Sequence, residues 1–323
     1  MKLSIAMTLY NGEKFLVEQL DSIRLQTYEI DELIACDDGS TDNTKEIFNN
    51  YVRYHQLEKK WSYIRNSVNK GPMVNFIECA EKCHGDIIFF SDQDDVWEID
   101  KVERMMDVFR HHTDTLLVSC SEIYMDENGN LLKGQSRFHK EKDKRVNLRK
   151  IDFSEQVRTM HSPGLTLAFR KELLEETKKF TYSEKLTYDL TMGLVASVKG
   201  GMYRLYEPLV KRRIHTQNAS APKFTIQSRV RNFDAHIKGR KLQLQHFETM
   251  YKYYSSVMTN NERNNLKKRI SSTQKAINYM ENRNFLGLLG SIYYKNPMEN
   301  TKLNFANVII TYLNWLNRRK YCD

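Results

Sequence analysis

The first 120 residues switch repeatedly between two hydrophobic periods. Short apolar runs, KLSIAMTL (2–9), ELIAC (32–36), DIIFF (86–90) and TLLVSC (115–120), are separated by stretches in which apolar residues recur at helical spacing. Phe15, Leu16, Leu20 and Ile23 form one such face, with Gln19 on it, and Val102, Met105, Met106 and Phe109 form another. A short run without polar alternation is a strand buried on both sides, and a helix between two such runs is a crossover. The pattern predicts βαβ units, hence an α/β fold with a mostly parallel, Rossmann-like sheet and flanking helices. WSYIRN (61–66) is predicted as the third strand, and helices are predicted from about Thr41 and from Gly71–Pro72, with Pro72 in the first turn.

After Cys120 the pattern loosens. DENGN (126–130) is a turn, and the charge-dense 138–150 is predicted as an exposed loop. LTLAFRK (165–171) reads as a strand feeding a helix, and YDLTMGLVASVKG (188–200) as a helix. MYRLYEPLVKRRIH (202–215) reads as a strand pair broken near Pro208. Beyond about Phe224 only helical patterns remain. The expected organisation is one domain over 1–220, whose pattern changes near residue 120, and a basic helical C-terminal region over 221–323.

Charge divides the chain at the same place. From Lys211 onward there are 21 Lys and Arg against 6 Asp and Glu, whereas residues 1–210 hold 29 against 35. A basic tail on a slightly acidic body favours an anionic partner or a solvated helical surface. Five cysteines without paired spacing suit a reducing compartment, with Cys36 and Cys120 as buried strand residues. The N-terminal MKLSIAMTLYNGE lacks the marks of a signal peptide, and no window reaches the roughly 18 apolar residues that a spanning helix needs.

Polar residues gather where strands end. Thr8, Tyr10 and Asn11 follow the first strand, Asp37, Asp38, Gly39 and Ser40 the second, and Asp92, Gln93, Asp94 and Asp95 the fourth. Ligands of open parallel sheets bind outside the carboxyl ends of the strands, so these clusters are expected on one edge. Crowded carboxylates repel unless a cation or hydrogen-bond donors offset them, and hard oxygen ligands suit Mg²⁺ or Mn²⁺ carrying phosphate oxygens. The plainer alternatives are helix capping by Asp92–Asp95 and a turn with an N-cap at 37–43. The calcium-loop spacing is absent, as are the glycine-rich phosphate loops.

Four segments together resemble the family 2 glycosyltransferases of the GT-A fold, and most closely their bacterial rhamnosyltransferase-like branch. These are SIAMTLYNGEKFLVEQLDSIRLQT, DELIACDDGSTDNT, NKGPMVNF and DIIFFSDQDDVW, in that order, with weaker similarity in SPGLTLAFRKEL and YEPLVKRRIHTQNAS. The resemblance spans roughly residues 2–220, and it implies a catalytic domain over 1–220 with a nucleotide-sugar-binding half over 1–120 and an acceptor half over 121–220. It implies that Thr8, Tyr10 and Asp38, with Asp37 beside them, hold the nucleotide base. It implies that Asp92 and Asp94 form the DxD motif on ribose and metal, and that His215 approaches the metal or diphosphate. It places the general base at Asp189, within Tyr188–Asp189–Leu190 where relatives carry an HDW-like segment. A helix N-terminal carboxylate is the plainer reading of Asp189.

The implied reaction is metal-dependent, inverting transfer from a nucleotide-diphosphate sugar, rhamnose first and glucose or galactose next, to a lipid-linked or polysaccharide acceptor. Trp97 is a candidate for the sugar pocket or for the core. In the tail, 305–316 and 285–294 carry apolar, aromatic-ended faces beside cations, which suit a helix in the bilayer interface or a packed face, on the catalytic domain or between two copies of the chain. The resulting expectation is a cytoplasmic enzyme at the inner face of the plasma membrane. A nucleotidyltransferase also sets carboxylates at strand ends but would release pyrophosphate. Nucleic-acid binding through the tail is the remaining rival, and the acidic cluster speaks against it.

Overall fold

The computed structural model describes residues 1–132, 147–160, 162–216 and 233–282, together with the isolated positions 284, 287 and 312. It divides into two units, one of Met1–Asp152 with His161–Ala221, the other of Phe153–Met160 with Pro222–Asp323.

The first unit begins as the periodicity predicts: β1 (Leu3–Leu9), α1 (Leu16–Arg24), β2 (Glu32–Asp37), α2 (Thr44–Tyr54), β3 (Trp61–Arg65), α3 (Pro72–Lys82) and β4 (Ile87–Ser91). These strands pair in parallel in the order β3-β2-β1-β4. Leu3, Ile5, Met7, Leu33, Ala35, Ile87 and Phe89 are fully buried, as a sheet with two covered faces requires. Pro72 opens α3 where its missing N–H costs nothing, and Gly71 precedes it at φ +79°, a left-handed turn that glycine adopts without strain. The strand ends are level, with Leu9 opposite Asp37 and Asp37 opposite Arg65, so the three end loops open on one edge.

The sheet then changes character. After β5 (Val96–Trp97) and α4 (Lys101–His111) come β6 (Leu117–Met125) and β7 (Leu148–Lys150). Farther along are β8 (Leu167–Arg170), α6 (Lys171–Glu184), α7 (Tyr188–Val198) and β9 (Met202–Arg213). β8 enters antiparallel between β4 and β6, β9 runs parallel to β6, and β5 and β7 pair antiparallel with β9. Parallel pairing therefore holds through the first four strands, and the later ones make the sheet mixed.

Two local expectations change, and one left open is decided. Residues 202–213 form one strand rather than a broken pair: Pro208 faces Ser121 at an irregularity in the β6–β9 register, where a missing N–H is tolerated. The end of the charged stretch, 148–150, is β7 and pairs with β9; residues 138–146 lie outside the described residues. Trp97 is 3% exposed and packs on Phe89 in the core.

The second unit is helical. α5 (Phe153–Thr159) packs on α9 (Asn260–Glu281), and α9 packs on α8 (Phe233–Tyr254). Leu244, Phe247, Met250, Leu266, Ile277 and Met280 are buried. Thr259 and Glu262 start α9 with a reciprocal capping box. No helix among the described residues is long and apolar enough to cross a membrane. The tail segments 285–294 and 305–316 fall, but for positions 287 and 312, outside the described residues.

Candidate functional site

The loop after β1 is built against the loop after β2. Asn11 takes a left-handed φ of +49°, and its side-chain oxygen accepts from the Thr41 N–H at 2.8 Å. The Asn11 N–H donates to Ser40 Oγ at 2.9 Å, and the Gly12 N–H donates to Thr44 Oγ1 at 2.8 Å. The two aspartates of the second loop do different work. Asp37 accepts from the Ser40 N–H at 2.8 Å, from Ser40 Oγ at 2.7 Å and from the Tyr63 hydroxyl, so it shapes the turn. Asp38 accepts from Asn66 Nδ2 at 2.8 Å, the Lys70 N–H at 2.9 Å and the Gly71 N–H at 2.8 Å, which fastens the 66–71 loop.

The acidic loop after β4 sits across from these. Asp94 Oδ2 is 2.7 Å from His215 Nε2, because β9 runs back beside β5 with Val96 opposite Lys211. Burial, and then the neighbouring Asp94 charge, push the Asp92 carboxyl up to about 7. Burial pushes Asp95 well above the usual carboxylate range as well, with the charges of Asp94 and Asp92 adding to it. Cations gather around this charge. Arg212 lines the same space, and its guanidinium is 3.8 Å from Glu122. Fully buried Lys101 donates to the Leu165 carbonyl at 3.0 Å, lies 3.5 Å from the Trp97 ring centre, and has its pKa lowered by burial to about 8.

Arg213 holds the acidic loop from behind. It is 1% exposed, donates to the Asp94 carbonyl at 2.9 Å and the Glu127 carbonyl at 3.2 Å, and pairs with Glu18. Its backbone N–H donates to Asp95 Oδ1 at 3.1 Å, and its guanidinium lies 4.6 Å from the Phe15 ring, which in turn is 5.0 Å from the His215 ring.

A cavity of about 530 Å³ opens here. Of the residues singled out in the sequence, Thr8, Tyr10, Asn11, Asp38, Asp92, Asp94 and His215 line it. Asp37 and Asp189 do not. Asp37 is fully buried behind its turn. Asp189 stands in the first turn of α7, where its oxygen accepts from the Leu190 N–H at 2.8 Å and its charge reaches Asp92. Burial raises its carboxyl to about 6 against the pull of those hydrogen bonds. Tyr188 beside it points away into the core, with its ring 5.2 Å from Phe76 and 4.9 Å from Phe90. Sequence reasoning passed over Arg212, Arg213 and Lys101, and placed Gln93 in the cluster after the fourth strand without giving it a role. The KRR preceding His215 is the one signal that could have marked the arginines.

The residues fit a hard divalent cation in chemistry. Asp92 and Asp94 offer carboxylate oxygens and His215 an imidazole, and a carboxyl whose pKa is raised by burial and by its neighbour's charge is one that a cation would ionise. Among the described residues no three such side chains already form a complete ligand group, so other positions would fall to phosphate oxygens and water.

Comparison with known proteins agrees with this architecture. The family model described as glycosyl transferase family 2 matches residues 4–177. An uncharacterized glycosyltransferase of Haemophilus influenzae is 34% identical over 131 residues, 41% of this chain and 51% of that one. The chondroitin synthase of Escherichia coli is 27% identical over 224 residues, 69% of this chain and 30% of its own. The chain spans about half the length of the first curated relatives it matches, 45% and 51%. The mannosyltransferase PcManGT of Pyrobaculum calidifontis, solved with GDP-Man and Mn²⁺, superposes with a TM-score of 0.57 at 17% identity, over 98% of this chain and 87% of that one. At that identity the likeness speaks for the fold.

Proposed function

The chain belongs to glycosyl transferase family 2, and on that footing we propose that it transfers a sugar, with inversion, from a nucleotide-diphosphate sugar to a growing bacterial surface polysaccharide. The observation that carries this reading is the meeting, in one cavity, of the β1 and β2 end loops with the Asp94–His215 pair. The nucleoside lies against Thr8, Tyr10, Asn11 and the loop that Asp38 fastens, and the diphosphate lies toward Asp92, Asp94 and Arg212. Asp92, Asp94 and His215 would hold Mg²⁺ or Mn²⁺, which when bound neutralises charge on the diphosphate. PcManGT holding GDP-Man and Mn²⁺ supports both expectations.

Asp189 takes the proton of an acceptor hydroxyl. The freed oxygen attacks the anomeric carbon on the face opposite the diphosphate, the carbon–oxygen bond to phosphate breaks, and a nucleoside diphosphate leaves. A carboxyl raised only to about 6 is ionised at neutral pH, as a base must be. The domain assignment follows: catalysis over 1–220 and a basic helical region over 221–323. The rhamnosyltransferase-like motifs make rhamnose the first donor to test, glucose and galactose next. The chondroitin synthase relative favours a polysaccharide or its lipid-linked precursor as acceptor. A nucleic-acid partner is not part of the proposal. Such an acceptor places the enzyme at the cytoplasmic face of the plasma membrane, with the basic tail in contact with lipid or with a second copy of the chain.

The test is a panel of nucleotide sugars with Mg²⁺, Mn²⁺ or chelator, read as release of nucleoside diphosphate. Cation-dependent release with one donor, and an inverted anomeric configuration in the product, are expected. Release of pyrophosphate would make the protein a nucleotidyltransferase instead.

A further inference from the structure

We propose that Gln93 is a positioning residue that latches the Tyr10 loop to the acidic loop, and that Gly12 is the clearance that lets the latch close. The inference rests on the nucleotide-sugar reading above. Gln93 stands between Asp92 and Asp94, and its side chain turns across the cavity edge rather than toward either carboxylate. Its Oε1 accepts from the Tyr10 N–H at 2.7 Å, and its Nε2 donates to the Tyr10 carbonyl at 2.8 Å. One primary amide thus satisfies both backbone groups of one residue, as a neighbouring strand would. A primary amide donates from one terminal atom and accepts at the other; an ionised glutamate would only accept, and methionine offers no donor and at best a weak acceptor.

The backbone at Gly12 is shaped to the latch. A Cβ there would stand 2.3 Å from Gln93 Oε1 and 2.6 Å from its Cδ, so any larger residue drives the amide out. The Gly12 N–H is meanwhile held by Thr44 Oγ1 at 2.8 Å, so the loop cannot retreat without breaking that bond. Tyr10 lines the cavity and is 50% exposed, and the latch holds it through its backbone. The latch therefore sets the distance between the surface that receives the nucleoside and the carboxylates that face the diphosphate. A ligand that bridges both ends is bound less tightly when that distance is no longer fixed in advance.

The test uses the full chain with Gln93→Met, Gly12→Ala and the double variant. UDP, GDP and dTDP are titrated calorimetrically in Mn²⁺, and Mn²⁺ alone is titrated by electron paramagnetic resonance. Each single variant is expected to bind the wild type's preferred nucleotide about tenfold more weakly, and the double variant no more weakly than the worse single, since both remove one interaction. Mn²⁺ alone should bind all four proteins alike, and the donor KM should rise while kcat at saturation holds. Unchanged nucleotide binding in Gln93→Met, multiplying losses in the double variant, or a matching loss of Mn²⁺ affinity would each overturn the latch. Should Gly12→Ala not fold, Gln93→Met decides alone. A wild-type chain that binds none of the nucleotides refutes the nucleotide-sugar reading on which the latch rests, whereas wild-type binding that Gln93→Met leaves intact refutes only the latch.

Discussion

His215 Nε2 meets Asp94 Oδ2 at 2.7 Å across 121 residues of sequence, and the antiparallel pairing of β5 with β9 brings them together. The pair is the centre of the proposed cation site, so the two side chains should fail together. Asp94→Ala and His215→Ala are expected to keep the fold. Asp94→Ala should lose transfer by about a thousandfold or more, since cation assistance to a departing phosphate amounts to several kcal/mol. His215→Ala should raise the Mn²⁺ concentration needed for half-maximal rate. Wild-type turnover by Asp94→Ala in saturating Mn²⁺ would remove the assignment.

Asp189 should set the acidic limb of the pH profile. A base works ionised, so kcat is expected to rise with pH through about 6 and to level off near neutrality. Asp189→Asn should lower kcat by about 10²–10⁴-fold and abolish that limb, with little change in donor affinity. A matching loss of donor affinity would move Asp189 into the donor site.

The Asp92 carboxyl should make stability depend on pH in a defined direction. Its folded pKa, about 7, lies above the unfolded value, so the folded state binds more protons in between. Stability from this group is full at acid pH and is lost as pH rises toward 7. Wild type should therefore fall behind Asp92→Asn in Tm as cation-free samples go from pH 4.5 to 7.5, by about 2–4 °C per kcal/mol. Mn²⁺ at pH 7.5 should close the gap. A difference in Tm that stays constant across that range would contradict the raised pKa.

Asp38 should act through its loop. Asp38→Ala takes the carboxylate acceptor from the Lys70 N–H, and leaves the Gly71 N–H with Asn69 Oδ1 and the Asn66 amide with Asn75 Oδ1. A loss of about 1–3 kcal/mol is expected, with about tenfold weaker nucleotide binding and nearly unchanged kcat. Thermal melts and calorimetry would measure both, and unchanged nucleotide affinity would count against a role for this loop.

Much of this protein is legible locally. Apolar runs and helical faces through residue 120 specify β1 to β4 and the intervening helices, because strand and helix periods differ and each is written in neighbouring residues. Parallel strands put their carboxyl ends on one edge, so the polar clusters after them could be expected to meet before any coordinates existed.

What only the tertiary structure decided involves partners far apart in the chain. Two-residue β5 has no period to read, yet its pairing with β9 returns His215 to the acidic loop. Arg213 belongs to a basic run that reads as surface, and it is buried because acceptors at Asp94, Glu127 and Glu18 await it. A tryptophan at position 97 suits a sugar pocket and, more often, a core, and packing against Phe89 put it in the core. Phe153–Met160 lies within the sequence of the first unit but gathers with the C-terminal helices. Sequence by itself determined the strands and helices through β4 and the polar clusters at their ends. A hydrophobic face or a charged side chain is satisfied by any complementary partner, so which one it meets was settled only by the folding of the whole chain.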